Sequence, residues 1–186
     1  MNRFVAFGFV LLGLTVLSVP SPAAEVSDPR SLEIQIVYKT LWINGQKVRL
    51  PGTRDRLIEL LGEPDRETKL ANTLLTWDNL GVVGYENAAG EIIAFSVALD
   101  AKPYKFWPKK SFSGVLAVDS AEITAGGDIS EINRAKQGKE FAHDRVLADS
   151  YTVEFKDLLL SLVAADSQTK SSKANFAYLQ ISVKEK

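Results

Sequence analysis

Side chains able to accept protons, attack carbon or hold a metal are scarce in this chain. It has one His, His143, and no Cys. An ordinary zinc site of Cys and His ligands therefore cannot be assembled. A Ser-His-Asp arrangement would have to use His143, and no Gly-x-Ser-x-Gly nucleophile elbow occurs anywhere. Gly126-Gly127-Asp128 stands before a helix and offers backbone N–H groups, yet it lacks the lysine and further glycines of a phosphate loop. Carboxylates are the one abundant reactive type, and Asp78, Glu86, Asp100 and Glu154 fall near predicted strand ends. Convergence of two or more in a pocket would suit acid–base work or a small ligand, whereas dispersal would return them to solvation. No Asp-x-Asp-x-Asp-Gly calcium loop is present. The expectation is a protein without catalytic residues, metal or cofactor.

The densest candidate for recognition is Tyr104-Lys105-Phe106-Trp107-Pro108-Lys109-Lys110. Tyr104, Lys105, Phe106, Trp107, Lys109 and Lys110 read as a binding patch, because aromatic and cationic side chains anchor many interfaces. The same residues also read as a plug, with Phe106 and Trp107 closing a seam and the lysines in water. Trp42 and Trp77 lie among alternating apolar neighbours and are expected in the core.

The elements that must position these groups follow from periodicity. Leu32, Ile34, Ile36 and Tyr38 alternate, which predicts a half-buried strand. Trp42 to Val48 is a tight hairpin about Asn44-Gly45. Thr53 caps a short helix whose Leu57, Leu60 and Leu61 form its apolar stripe, with Gly62 and Pro64 ending it. Strands are predicted at 66–70, 73–77, 82–86 and 91–99, the last burying Ile93, Phe95, Val97 and Leu99. A second hairpin covers 115–118 and 121–124, Asp128 caps a second helix ended by Gly138, and strands follow at 151–155, 158–164 and 176–184. The loop 166–175 is polar.

The order hairpin, helix, meander thus occurs twice. The predicted class is α+β, as two tandem repeats, each with a hairpin, a short helix and an antiparallel sheet of three to four strands. The boundaries are 32–100 for the first repeat, 101–111 for a connector and 112–186 for the second. Trp77 lies 15 residues after Gly62 and Val153 lies 15 after Gly138, which agrees with duplication.

Residues 1–23 have the three-part pattern of a signal peptide: Arg3, an uncharged apolar run from Phe4 to Val19, and a small-residue end at Ser21 and Ala23. That run makes about 24 Å of helix, against roughly 30 Å for a membrane core. Residues 24–31 form a polar leader. Cleavage removes only Arg3 among the charged residues, so the mature chain is one unit more acidic than the whole chain's −1. That balance makes no electrostatic case for nucleic acid or an anionic membrane. With no Cys, the exported fold must stand on its hydrophobic core.

Leu60-Leu61-Gly62-Glu63-Pro64-Asp65-Arg66, then Thr76-Trp77-Asp78 and Gly84-Tyr85, resembles the helix–LLGxP–strand signature of the SmpA/OmlA-like outer-membrane assembly proteins and of the β-lactamase inhibitor proteins. The latter also carry two tandem copies. The whole chain is more similar still to an uncharacterised bacterial domain of exported proteins with a segment like Pro108 to Gly114 between its halves. The chain departs from the first two families in having no Cys for a lipid anchor or for disulfides. The repeat, the missing reactive residues and this resemblance together lead to the expectation of an exported, non-catalytic protein-binding module, an envelope accessory or an inhibitor/immunity-type protein. Its partner would be another protein, and it would keep no stable membrane anchor after cleavage in the periplasm or outside the cell. The alternative is a small-ligand or glycan-binding protein, or a hydrolase, using a carboxylate-lined pocket. Intact-mass spectrometry of the exported protein is expected to show an N-terminus at Ala24 or Glu25. A membrane-retained species keeping Met1 would contradict the cleavage.

Overall fold

Hairpins and short helices arise locally where the turn chemistry demands them. The computed structural model describes residues 29–37, 40–100, 105–144, 149–165 and 175–184. The signal peptide 1–23, most of the leader, Tyr38, Tyr104 and most of the polar loop 166–175 lie outside the described residues. Strand β1 (Glu33–Val37) pairs with β2 (Thr40–Ile43), which turns through Asn44 and Gly45, at φ 49° and 71°, into β3 (Gln46–Val48). Two positive φ values in succession make the type I′ turn that the Asn-Gly pair predicts.

A two-residue strand β4 (Gly52–Thr53) leads into α1 (Arg54–Leu61). Thr53 Oγ1 accepts the Arg56 N–H at 3.4 Å, and the Gly62 N–H donates to Ile58 O, so both helix ends are capped as expected. Leu57, Leu60 and Leu61 are buried. The meander β5 (Arg66–Lys69), β6 (Thr73–Trp77), β7 (Val82–Glu86) and β8 (Glu91–Ala98) follows. The Trp77 indole N–H donates to Gly62 O at 2.8 Å, tying the helix end to the sheet.

After the connector come β9 (Val115–Val118), β10 (Ala121–Glu122), α2 (Ile129–Ala135), β11 (Ala142–His143), β12 (Ser150–Glu154), β13 (Leu158–Ala164) and β14 (Phe176–Val183). Asp128 caps α2 by accepting the Ser130 N–H at 2.8 Å. The helix stops at Lys136, two residues before the predicted Gly138. The Lys136 ammonium is buried: it donates to the carbonyls of Gln137 and Lys139, and lies 3.4 Å from Asp119 Oδ2. It also sits within 6 Å of the Phe141 and Phe155 rings. Satisfying that cation draws the chain out of the helix early.

The class is α+β, with two sheets, and here the structure departs from separate sheets in each half. The smaller sheet has the order β10-β9-β1-β2-β3, joined by a parallel β1–β9 pair. The larger has the order β11-β12-β13-β14-β8-β7-β6-β5, joined by an antiparallel β14–β8 pair, with β4 also on β8. Each sheet therefore draws strands from both halves, and the buried faces share one hydrophobic cluster from Ile34 and Leu116 to Phe95 and Ile181. The reason is edge pairing: β1 and β8 would otherwise expose unpaired backbone, and β9 and β14 cover it.

A bulge between Tyr85 and Glu86 shifts the β7–β8 register. Ile92 is thereby buried, and Ile93, predicted inward with Phe95, is half-exposed. A fragment ending at Ser111 is expected to show no cooperative thermal unfolding by circular dichroism. A sharp transition in that fragment would show that the first half folds alone.

Candidate functional site

Side chains alternate across a strand, so the ladder registers sort the larger sheet into two faces. On the inner face Leu75, Gly84, Phe95, Ile181, Leu160 and Val153 stand in one row across six strands. The outer face carries Arg66, Thr76, Val83, Ser96, Gln180, Ser161 and Thr152 in the equivalent row. The next outer row is Leu74, Tyr85, Ala94, Ser182 and Leu159.

The central strand β8 presents only Ala94, Ser96 and Ala98 outward, between the larger Tyr85 and Gln180 of its neighbours. Small side chains flanked by large ones leave a hollow. It has a volume of about 550 Å³, lined by Tyr85, Ile93, Ala94, Leu159, Gln180 and Ser182 among others. Ser96 Oγ lies 3.4 Å from the Tyr85 hydroxyl, and burial pushes the Tyr85 phenol above its ordinary pKa. The hollow is lined by both polar and apolar side chains.

The connector is clamped on the same face of the sheet. Arg66 Nε donates to Asp78 Oδ2 at 2.8 Å and Nη2 to Oδ1 at 2.7 Å, a bidentate pair. The same guanidinium donates to the carbonyls of Lys105 at 3.1 Å and Trp107 at 2.8 Å. Asp78 Oδ1 accepts the Lys109 N–H at 3.1 Å, the Lys109 ammonium lies 3.1 Å from Oδ2, and the Lys110 N–H donates to the Asp78 carbonyl at 3.2 Å. Asp65 accepts the Asp78 N–H at 2.7 Å, and Thr76 Oγ1 donates to Phe106 O at 3.4 Å. Farther on, the Phe112 N–H donates to Ala98 O at 2.7 Å. Phe112 passes so close to Gly81 that a Cβ there would collide with its backbone, and Gly81 also holds φ at 72°.

The Asp78 carboxylate is only 5 % exposed. Its hydrogen bonds to Arg66, and then those to Lys109, outweigh the cost of burial and hold its pKa down to about 2. The Arg66 guanidinium is correspondingly raised by Asp78.

This clamp decides where the predicted binding residues point. Arg66 holds the carbonyls on either side of Phe106, so the chain turns there. Trp107 goes inward, 8 % exposed, with its ring centroid 5.0 Å from that of Tyr178 on β14. It closes the seam between the halves and does not stand as a surface anchor, a correction to its place in the patch. Phe106 is 39 % exposed, and Lys105, Lys109 and Lys110 are exposed. Trp77 is buried as expected, and Trp42 is half-buried.

The carboxylates disperse. Asp78 and Glu86 sit at opposite ends of the β6–β7 hairpin, and Glu154 lies four strands away on β12. Asp78 pairs with Arg66, Glu86 lies 3.8 Å from Arg54, and Glu154 lies 2.7 Å from Lys184. The Asp100 N–H donates to Ala177 O. His143 is exposed on β11, its ring edge-on to Tyr151 at 5.4 Å. Among the described residues no three His, Cys, Asp or Glu side chains gather as a metal site, and no helix is long and apolar enough to cross a membrane. Sequence reasoning missed Arg66 and the groove. The small–large alternation Ile93-Ala94-Phe95-Ser96-Val97-Ala98 was the available signal for the hollow.

Residues 33–133 match the model of a protein family, the domain of unknown function DUF7738. The chain belongs to that family. The DUF7738 match begins at β1 and ends in α2, so it spans the whole clamp, Arg66, Asp78 and Lys109 included. The groove strands β13 and β14 lie beyond the DUF7738 region. Comparison with curated proteins finds no match. Among solved structures, an extracellular protein containing a SCP domain from Bacillus anthracis str. Ames is similar at 10% identity and a TM-score of 0.43. The likeness covers 93% of this chain, which spans half of that structure, and is too slight to carry fold or function.

A carboxylate with a lower pKa folded than unfolded contributes stability that is complete above the unfolded value, near 3.8, and drains away as pH falls toward about 2. The parent protein is expected to lose roughly 2 kcal/mol more than Asp78→Asn on going from pH 5 to pH 2 in urea unfolding. At pH 7 the variant should be less stable by on the order of 2–3 kcal/mol, since Arg66 still reaches water. Equal acid sensitivity in both proteins would contradict the clamp's electrostatics.

Proposed function

We propose that this chain is an exported, non-catalytic module that binds another protein, as an envelope accessory or an inhibitor that masks its target. The observation that carries the reading is the outer face of the larger sheet. It holds a groove of about 550 Å³ across β7, β8, β14 and β13, with an exposed aromatic and lysine turn pinned on the same face. A sheet presents such a surface at low entropic cost in the main chain, because the ladder already fixes its backbone. The resemblance of Leu60–Arg66 and Thr76–Asp78 to the SmpA/OmlA-like and β-lactamase inhibitor families supports the same reading. So does the recurrence of hairpin, helix and meander in both halves, which we interpret as a tandem duplication fused through shared sheets.

In this mechanism the groove supplies area and shape, and the turn supplies an anchor that is already folded before contact. Gln180 and Ser182 stand in the groove as hydrogen-bonding groups for a partner's main chain, while Leu159 and Ile93 offer apolar contact. The carboxylate-pocket alternative draws no support from the dispersed pairs at Asp78, Glu86 and Glu154.

Affinity capture of the tagged protein from its own envelope extract, read by mass spectrometry, tests the reading. A single saturable protein partner is expected, and Gln180→Arg should weaken its binding by about tenfold or more without lowering the melting temperature. Absence of any saturable partner, or a partner indifferent to the groove substitution, would contradict it.

A further inference from the structure

The turn at Lys105–Lys110 has a chemistry of its own. Phe106 is 39 % exposed, a high value for a Phe on a protein that buries most of its large apolar side chains. Lys105, Lys109 and Lys110 surround it in sequence and are exposed, with the Lys109 side chain 75 % in solvent. No acidic residue occurs from residue 101 to residue 118. Among the described residues, Asp78 and Asp65 are the carboxylates at the clamp of this turn, Asp78 bonded to Arg66 and Lys109 and Asp65 to the Asp78 N–H. Among the described residues, Arg66 and the three lysines thus stand with Asp78 and Asp65 at this turn, in a chain whose net charge is −1.

From this we infer that the turn is the docking point for an acidic polypeptide segment, with carboxylates meeting Lys105, Lys109 and Lys110 and an apolar side chain packing on Phe106. The inference rests on the protein-binding reading and names the partner's chemistry. Charge complementarity selects the acidic segment, because an exposed lysine collar attracts carboxylates and discourages basic surfaces. The exposed ring selects a polypeptide with apolar content over a simple polyanion, since ring burial adds contact energy that charge alone does not. The clamp fixes the backbone of the turn before contact, so docking immobilises few further torsions. The groove lies on the same sheet face as the turn.

The test uses the full exported protein and three immobilised probes: a random copolymer of Glu and Tyr, a Glu homopolymer, and vesicles rich in phosphatidylglycerol. The copolymer is expected to bind more tightly than the homopolymer, and binding should fall as salt rises from about 0.05 M to about 0.5 M. Lys105→Glu with Lys110→Glu should weaken copolymer binding by about tenfold or more, and Phe106→Ala should reduce it severalfold toward the homopolymer value. Lys47→Glu, a single exposed charge reversal on β3, should leave it unaltered. The inference is overturned if the double charge reversal binds like the parent. It is equally overturned if Lys47→Glu loses as much, or if vesicles bind and the copolymer does not. A captured envelope partner indifferent to these changes would sink the inference alone, whereas absence of any partner would sink the underlying reading.

Discussion

Placing a carboxylate where water barely reaches costs several kcal/mol unless strong donors replace the lost hydration. Asp78 meets that requirement with the two-pronged Arg66 pair and the Lys109 N–H and ammonium. Much else in the structure depends on how the donors are arranged. Arg66 has N–H groups left over, and they hold the carbonyls of Lys105 and Trp107. A pair that satisfies its own charges thereby fixes residues 105–110, which lie outside any helix or strand. Trp107 is delivered to Tyr178, and the first half of the chain is tied to the last strand.

The two sheets impose the complementary constraint. Because β9 joins β1 and β14 joins β8, neither half can bury its apolar face or satisfy its edge backbone without the other. The larger sheet consequently continues through the boundary, and its central strand can be flanked by tall neighbours on both sides. Ala94 on that strand, with Tyr85, Gln180 and Ser182 on its neighbours, opens a groove in the sheet. The clamp then closes one region of the face and leaves the rest open. In the proposed binding role, the fastened part holds the turn and the open part offers the surface.

Much of the local architecture was legible from residue types. Asn44-Gly45, Thr53 with Gly62, and the alternation through Leu32 to Ile36 each specify their own element, because turn, cap and pleat act over a few residues. What escaped was long-range. Pairing of β1 with β9 is parallel and spans some eighty residues, and no local pattern encodes it. Arg66 read as one residue of a weak strand, since its partners lie 12 to 41 residues away. Trp107 and Phe106 are adjacent and chemically alike, so only the carbonyl contacts to Arg66 and Thr76 determine which ring is inside. The spacing of 15 from Gly62 to Trp77 has a physical basis in the indole N–H bond. Val153, at the same distance from Gly138, has no donor that could repeat it.

The most direct test of the central claim is amide hydrogen exchange in the parent and in Asp78→Asn, followed by NMR residue by residue. The account predicts that the Lys109, Lys110 and Phe112 amides lose protection together in the variant, while amides of β13 and β14 keep theirs. Unchanged protection along the connector would contradict the claim that the Arg66–Asp78 pair is what holds it.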